Sequence, residues 1–217
     1  MPTTYLTLVN DVLTRLREDS VNNVSDTEYS RLIGKFVNDA KREVEEAWDW
    51  ECLKTFYTRA TVNGTSEYSI TGIGTDFKII DQPLNITSNR PLSYRSYIWF
   101  TENLTLNPNP GLGEPESYTF HGTDSNGDIK FLLYPVPNAV RTIRFNVIKP
   151  EPELVTNTNS TLLPKTAITA LAWAKAIEER GEDGGVNVNS QYAVARQALG
   201  DAIALEASRY VDTNWTA

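Results

Sequence analysis

Residues able to do chemistry are sparse in this 217-residue chain, which has one histidine, His121, and one cysteine, Cys52. Neither a Cys–His nucleophilic pair nor a His- and Cys-rich metal site can be assembled from neighbours. His121, beside Gly122, reads as a turn residue, and Cys52 as a small strand residue after a helix. Asp124-Ser125-Asn126-Gly127-Asp128 resembles the start of a calcium loop. It lacks the acidic residue needed at the loop's twelfth position and sits between strand patterns, where a hairpin turn accounts for it. The carboxylates Glu45-Glu46 and Asp49…Glu51 could in principle share acid–base work, but neighbours on a charged helix read as solvated side chains. Gly72-Ile73-Gly74 and Gly111-Leu112-Gly113 are not followed by Lys-Ser or Lys-Thr, so they read as turns and not as a phosphate cradle. The expectation is no catalytic residue, no metal, no cofactor, and no enzyme.

The elements that carry these residues follow an α, β, α order. In residues 4–18, Tyr5, Leu8, Val9, Val12, Leu13 and Leu16 recur three and four apart, which predicts a helix with one buried side. A second helix is predicted over 26–50, opened by a Ser25/Glu28 capping box and striped by Tyr29, Leu32, Ile33, Phe36, Val37, Ala40, Val44, Ala47 and Trp48. It reads as the spine of the fold. Lys41-Arg42, flanked by Glu43, Glu45 and Glu46, reads as its solvated face. At Trp48-Asp49-Trp50 the period changes to two. Trp48 continues the buried stripe, Trp50 points elsewhere, and the pair is expected to weld the β-rich part to the helices.

Between 51 and 150, alternating segments such as 130–134 and 142–148 are punctuated by Asn63-Gly64, Asn126-Gly127 and Pro135-Val136-Pro137. This predicts six to eight strands joined by tight turns. Helices resume at Pro164, suited to a first helical position, and stop at Gly181; a last helix runs from near Ser190 to about Val211. On that last helix Tyr192, Ala195, Leu199, Ala202 and Ile203 form one stripe, and Val194, Ala198 and Leu205 a second on another face. The first stripe is expected to meet the other helices and the second a neighbouring chain. The predicted fold is α+β: an antiparallel helical bundle of residues 1–50 and 162–211, an inserted β-rich lobe of 51–161 as a small sandwich or partly open barrel, and a C-terminal tail of 212–217.

Composition sets the outer limits. With 40% hydrophobic residues, five Trp and ten Tyr, the chain reads as folded and soluble. No apolar run approaches the roughly 18 residues of a membrane span, and no secretory signal is legible. One cysteine excludes an internal disulfide and fits a reducing compartment. A net charge of −8 without a Lys/Arg cluster argues against sequence-specific nucleic-acid binding.

The order of Tyr5-Leu6-Thr7-Leu8-Val9-Asn10-Asp11-Val12-Leu13, the long helix closing in Trp48-Asp49-Trp50-Glu51-Cys52-Leu53, Phe131-Leu132-Leu133-Tyr134-Pro135-Val136-Pro137, Lys149-Pro150-Glu151-Pro152 and Leu162-Leu163-Pro164 resembles the head-to-tail adaptor, or connector, proteins of tailed, especially short-tailed, bacteriophages. No single motif is specific; their order is. The resemblance covers nearly the whole chain. It implies a structural virion protein of the neck or tail, assembled in the host cytoplasm, forming a twelve-subunit ring beneath the portal protein through which DNA passes. A downstream tail or nozzle protein would lie below, and no catalytic residue carries over. It also implies that the C-terminal part docks on the portal, which makes Tyr210 and Trp215 candidate portal-binding residues and Val194, Ala198 and Leu205 candidate subunit contacts. The rival reading is a carbohydrate- or receptor-binding tail module using Tyr94, Tyr97 and Trp99.

Overall fold

The computed structural model describes residues 2–181 and 186–209. In chain order the elements are β1 (Thr3–Thr4), α1 (Tyr5–Arg15), α2 (Glu28–Ala47), a 3₁₀ turn (Glu51–Leu53), β2 (Lys54–Ala60), β3 (Glu67–Ser69), β4 (Lys78–Ile79), β5 (Leu84–Asn85), β6 (Arg90–Pro91) and β7 (Ser93–Tyr94). There follow α3 (Tyr97–Phe100), a π turn (Thr101–Thr105), β8 (Leu112–Gly113), β9 (Ser117–Thr123), β10 (Ile129–Tyr134), β11 (Val136–Pro137), β12 (Thr142–Ile148), β13 (Ser160–Thr161), α4 (Lys165–Arg180) and α5 (Val186–Ala207). Contacts divide the chain into two units, one running to Cys52 and resuming at Glu151, the other Leu53–Pro150. The class is mixed α and β.

In the helical unit, α1 is capped by Thr4, whose hydroxyl accepts from the Thr7 N–H, and it buries Tyr5, Leu8, Val9, Val12 and Leu13. The start of α2 differs from the sequence expectation. Its capping box is Thr27 with Ser30, the Ser30 N–H donating to Thr27 Oγ1 at 2.9 Å and the Thr27 N–H to Ser30 Oγ at 3.1 Å. Ser25 belongs to the preceding turn: its hydroxyl donates to Asn23 Oδ1 at 2.7 Å, while the Asn22 and Asn23 N–H groups donate to Asp26 Oδ2. These local side-chain bonds hold the backbone out of the helix for two more residues.

The far end differs too. Trp48 is extended (φ −152, ψ 160) and half-buried, and Trp50 is the buried indole, 2% exposed, donating from Nε1 to the Val44 carbonyl at 2.7 Å. Trp50 thereby satisfies a carbonyl of the last helical turn that has no intrahelical donor. The expected solvated face of α2 is likewise corrected in part: Arg42, Glu43 and Glu46 are exposed, but Lys41 and Glu45 are buried at 3% and 9% exposure. Lys41 Nζ lies 3.3 Å from Glu45 Oε2 and donates to the Glu151 carbonyl oxygen at 3.0 Å, while the Glu151 N–H donates to Glu45 Oε1 at 2.5 Å. The segment after Glu151 continues this attachment. The Asn38 side chain donates to the Leu154 carbonyl and accepts its N–H, both at 3.0 Å, and β13 pairs antiparallel with β1.

Not α2 but α4 is the helix that packs on three others, α1, α2 and α5. Its buried residues are mostly alanines, Ala167, Ala170, Ala172, Ala174 and Ala176, with Ile168 and Thr169. Small side chains around most of the circumference suit a helix covered from several sides. It ends at Gly181 in the left-handed region (φ +62), whose N–H reaches the Ile177 and Glu178 carbonyls.

In the other unit, β3-β10-β9-β7 and β2-β12-β5-β6 form two sheets, with β4 also on β12 and a separate parallel pair β8/β11. Among the described residues neither sheet closes into a barrel. The long ladder is β2/β12, antiparallel from Ala60↔Thr142 to Lys54↔Ile148. Inward residues of both sheets meet in one core: Tyr68, Tyr118, Phe131 and Leu133 from the first, Ile143, Phe145 and Val147 from the second, with the Phe131 and Phe145 rings 4.9 Å apart edge to face. Strands are more numerous and shorter than the sequence suggested, because prolines and turns cut pairing to two residues at β4 to β8.

Candidate subunit interface on the last helix

Helix α5 turns one stripe inward. Ala195 is buried, and Tyr192, Leu199, Ala202 and Ile203 are half-buried. The Tyr192 hydroxyl donates to Glu178 Oε2 of α4 at 2.6 Å, and burial together with that carboxylate pushes the phenol up to about 12. The second stripe faces away: Val194 is 50% and Leu205 66% exposed, with half-buried Ala198 between them. Spacings of four and seven residues put the three on one face. Beside this face lies a groove of about 630 Å³ lined by Trp50, Cys52, Leu162, Pro164, Ala198, Ala202 and Leu205, with Asp201, Glu206 and Arg209 at its polar edge.

Glu206 organises that edge, a role the sequence did not reveal. It is buried, accepts the Glu51 N–H at 2.9 Å and pairs with Arg209 at 2.8 Å. The partner is 155 residues away in sequence, so no local spacing could have signalled it. Burial pushes the Cys52 thiol above its ordinary range, and the Glu151 and Glu206 charges add to the shift. A thiol held protonated is a poor nucleophile.

The other sequence candidates are not gathered with this face. Tyr210 and Trp215 lie outside the described residues. His121 stacks on Tyr97 at 4.8 Å. Asp124 closes the β9/β10 turn, its Oδ1 accepting the Asn126 and Asp128 N–H groups while Gly127 takes φ +84. The hydrogen bond from the Ser69 side chain, then those turn amides, hold its carboxyl below the usual range. Among the described residues no group of three or more His, Cys, Asp or Glu is placed to hold a metal ion. None of the described helices is long and apolar enough to cross a membrane. Of the aromatic trio, Tyr94 is 62% and Tyr97 49% exposed, while Trp99 packs edge-on against Phe100 and Tyr134.

This surface presents exposed Val194 and Leu205 beside a groove whose lining is mostly apolar and includes the charged Asp201, Glu206 and Arg209. The SU10 adaptor protein family matches residues 3–216, and the chain belongs to this family of bacteriophage adaptors, structural components of the virion neck. The head-to-tail adaptor resemblance drawn from the order of its segments therefore holds. No curated protein matches the chain.

Proposed function

We propose that this adaptor closes with copies of itself into a ring beneath the portal, joins capsid to tail there, and lines the passage through which DNA moves without sequence-specific binding. The copy number, twelve, comes from the adaptors it resembles. The observation that carries the reading is the face of Val194, Ala198 and Leu205 on α5, where the subunit's own packing leaves Val194 and Leu205 in water with half-buried Ala198 between them. A heterologous contact of this kind, repeated about an axis, closes into a ring.

In this reading residues 1–50 and 162–211 form an antiparallel bundle, 51–161 an inserted domain, and 212–217 a tail. Tyr210 and Trp215 bind the portal, and a tail or nozzle protein binds below. Assembly takes place in the host cytoplasm, with no enzymatic step and no cofactor. Charge distribution supports the DNA passage: 20 of the 28 acidic residues fall outside 53–150. The helical segments are therefore the ones that repel phosphate. The exposed rings of Tyr94 and Tyr97 favour one second reading, a carbohydrate-binding module, which binding on a glycan array would support.

Val194→Asp tests the subunit contact. At a half-exposed position it changes folding stability by no more than about 0.5 kcal/mol, while portal-bound rings are lost from sedimentation profiles. Rings that form unimpaired in this variant would remove the face from the interface.

A further inference from the structure

A second cavity, of about 670 Å³, opens in the helical unit between the start of α1, the first turns of α2 and residues 154–158, and it shares no lining residue with the groove on α5. Its walls are pinned from within. Asn38 holds Leu154 by two hydrogen bonds of 3.0 Å, Asn157 Oδ1 accepts the Val24 N–H at 3.1 Å, and Asn159 Oδ1 accepts the Val155 and Thr156 N–H groups. A cavity formed in advance loses little order when it is filled. Val24, Leu154 and Val155 supply apolar surface, and Arg31 and Lys35 supply charge. Spacings of three and four place Arg31, Gly34 and Lys35 on one face of α2. A Cβ at Gly34 would collide with the Tyr5 hydroxyl, so the phenol lies against α2 at the position these two cations flank. Tyr5 is 6% exposed, and its hydroxyl has no hydrogen-bond partner among the described residues. Burial, and then the Glu153 charge, raise its pKa, so it remains a protonated donor.

The charges of this cavity are unbalanced in a way the rest of the unit is not. Its described lining holds two cations and no acid, in a chain of net charge −8. Lys35 is exposed and has no ion pair among the described residues, and Arg31 pairs with Glu28, whose side chain is 93% exposed. Such a surface pair contributes little and exchanges readily. Lys41, Arg42, Lys165, Lys175 and Arg180 of the same unit are each paired with an acid. Acids do stand next to the lining: Asp26 follows Ser25, Glu28 holds Arg31, and Glu153 precedes Leu154. They oppose a polyanion with closely spaced charges such as DNA. One carboxylate beside an apolar side chain instead meets the cations, the phenol O–H and the apolar surface together. We propose that this cavity takes an acidic side chain on an extended peptide segment of a partner protein. The carboxylate sits between Arg31, Lys35 and the Tyr5 hydroxyl, and a neighbouring apolar side chain rests on Val24 and Leu154. This site stands on the cavity and does not rest on the ring reading.

The probe is the peptide acetyl-Leu-Glu-Leu-amide, titrated into the isotope-labelled full chain, with the NMR shifts of the amides of residues 23–25, 31–35 and 154–158 as the readout. Saturable shifts are expected there, and acetyl-Leu-Gln-Leu-amide should bind about tenfold more weakly, the factor for a hydrogen bond to a charged group. Lys35→Gln, at an exposed position where the fold is unaffected, should weaken the Glu peptide about fivefold and leave the Gln peptide unchanged. Tyr5→Phe removes only the unpartnered oxygen and should weaken the Glu peptide about tenfold. Equal affinity for the two peptides, no saturable shift at these amides, or an affinity for the Glu peptide unchanged in either variant would overturn the proposal. So would inorganic phosphate or a DNA duplex that shifts the same amides at lower concentration than the Glu peptide does.

Discussion

Trp48 and Trp50 stand two residues apart, yet their surroundings separate them. Trp50 is 2% exposed and its indole N–H closes the end of α2, whereas Trp48 is half-buried. Trp50→Ala is expected to cost about 3–5 kcal/mol, the range for deleting a buried large aromatic, and Trp48→Ala less than half of that. Urea unfolding of the two variants checks the order; equal losses would contradict the assignment. The sequence stripe pointed to Trp48 because it extends the helical period past Ala47, where the backbone has already left the helix. Lys41 departs from the expected solvated face for a similar reason. Its charged neighbours are local, but the groups that permit its burial are Glu45 and Glu151, and the latter is 110 residues away. Residues whose environment is local, such as Asp124 in its hairpin and Gly181 at the end of α4, were legible from sequence.

At the level of elements, helix existence was readable from period and punctuation, and helix ends only where the capping groups are unambiguous. The Ser25/Glu28 box and the Thr27/Ser30 box are both plausible on paper; the Asn23 and Asp26 side chains decide between them. The two-sided patterning of α5 was legible, and its inner stripe is the one that meets α4. The Tyr192–Glu178 bond is part of that joint, and it gives a pH signature. The folded-state value of Tyr192 is raised to about 12 from the usual 10. Its contribution to stability is therefore complete below pH 10 and lost as pH climbs through about 12. Tyr192→Phe should flatten the fall in melting temperature between pH 10 and 12, leaving the share of Tyr5, Tyr68 and Tyr118, which burial also raises. An unchanged slope would mean that the phenol is not held in this joint.

For the whole molecule, the α, β, α order was legible because amphipathic period and turn residues change visibly at residues 50 and 162. Strand pairing was not. The β2/β12 ladder joins segments more than 80 residues apart, and nothing in either segment names the other. Family membership came from the order of weak motifs along the chain, and the match over residues 3–216 agrees with it. The docking surface proposed for this chain is the exposed face of α5 with its groove. The central claim is that this face closes a ring once the subunit meets the portal. Electron microscopy of the purified protein mixed with its cognate portal tests it most directly. The account predicts rings stacked on the portal and single subunits in its absence; free subunits persisting beside bare portals would contradict it.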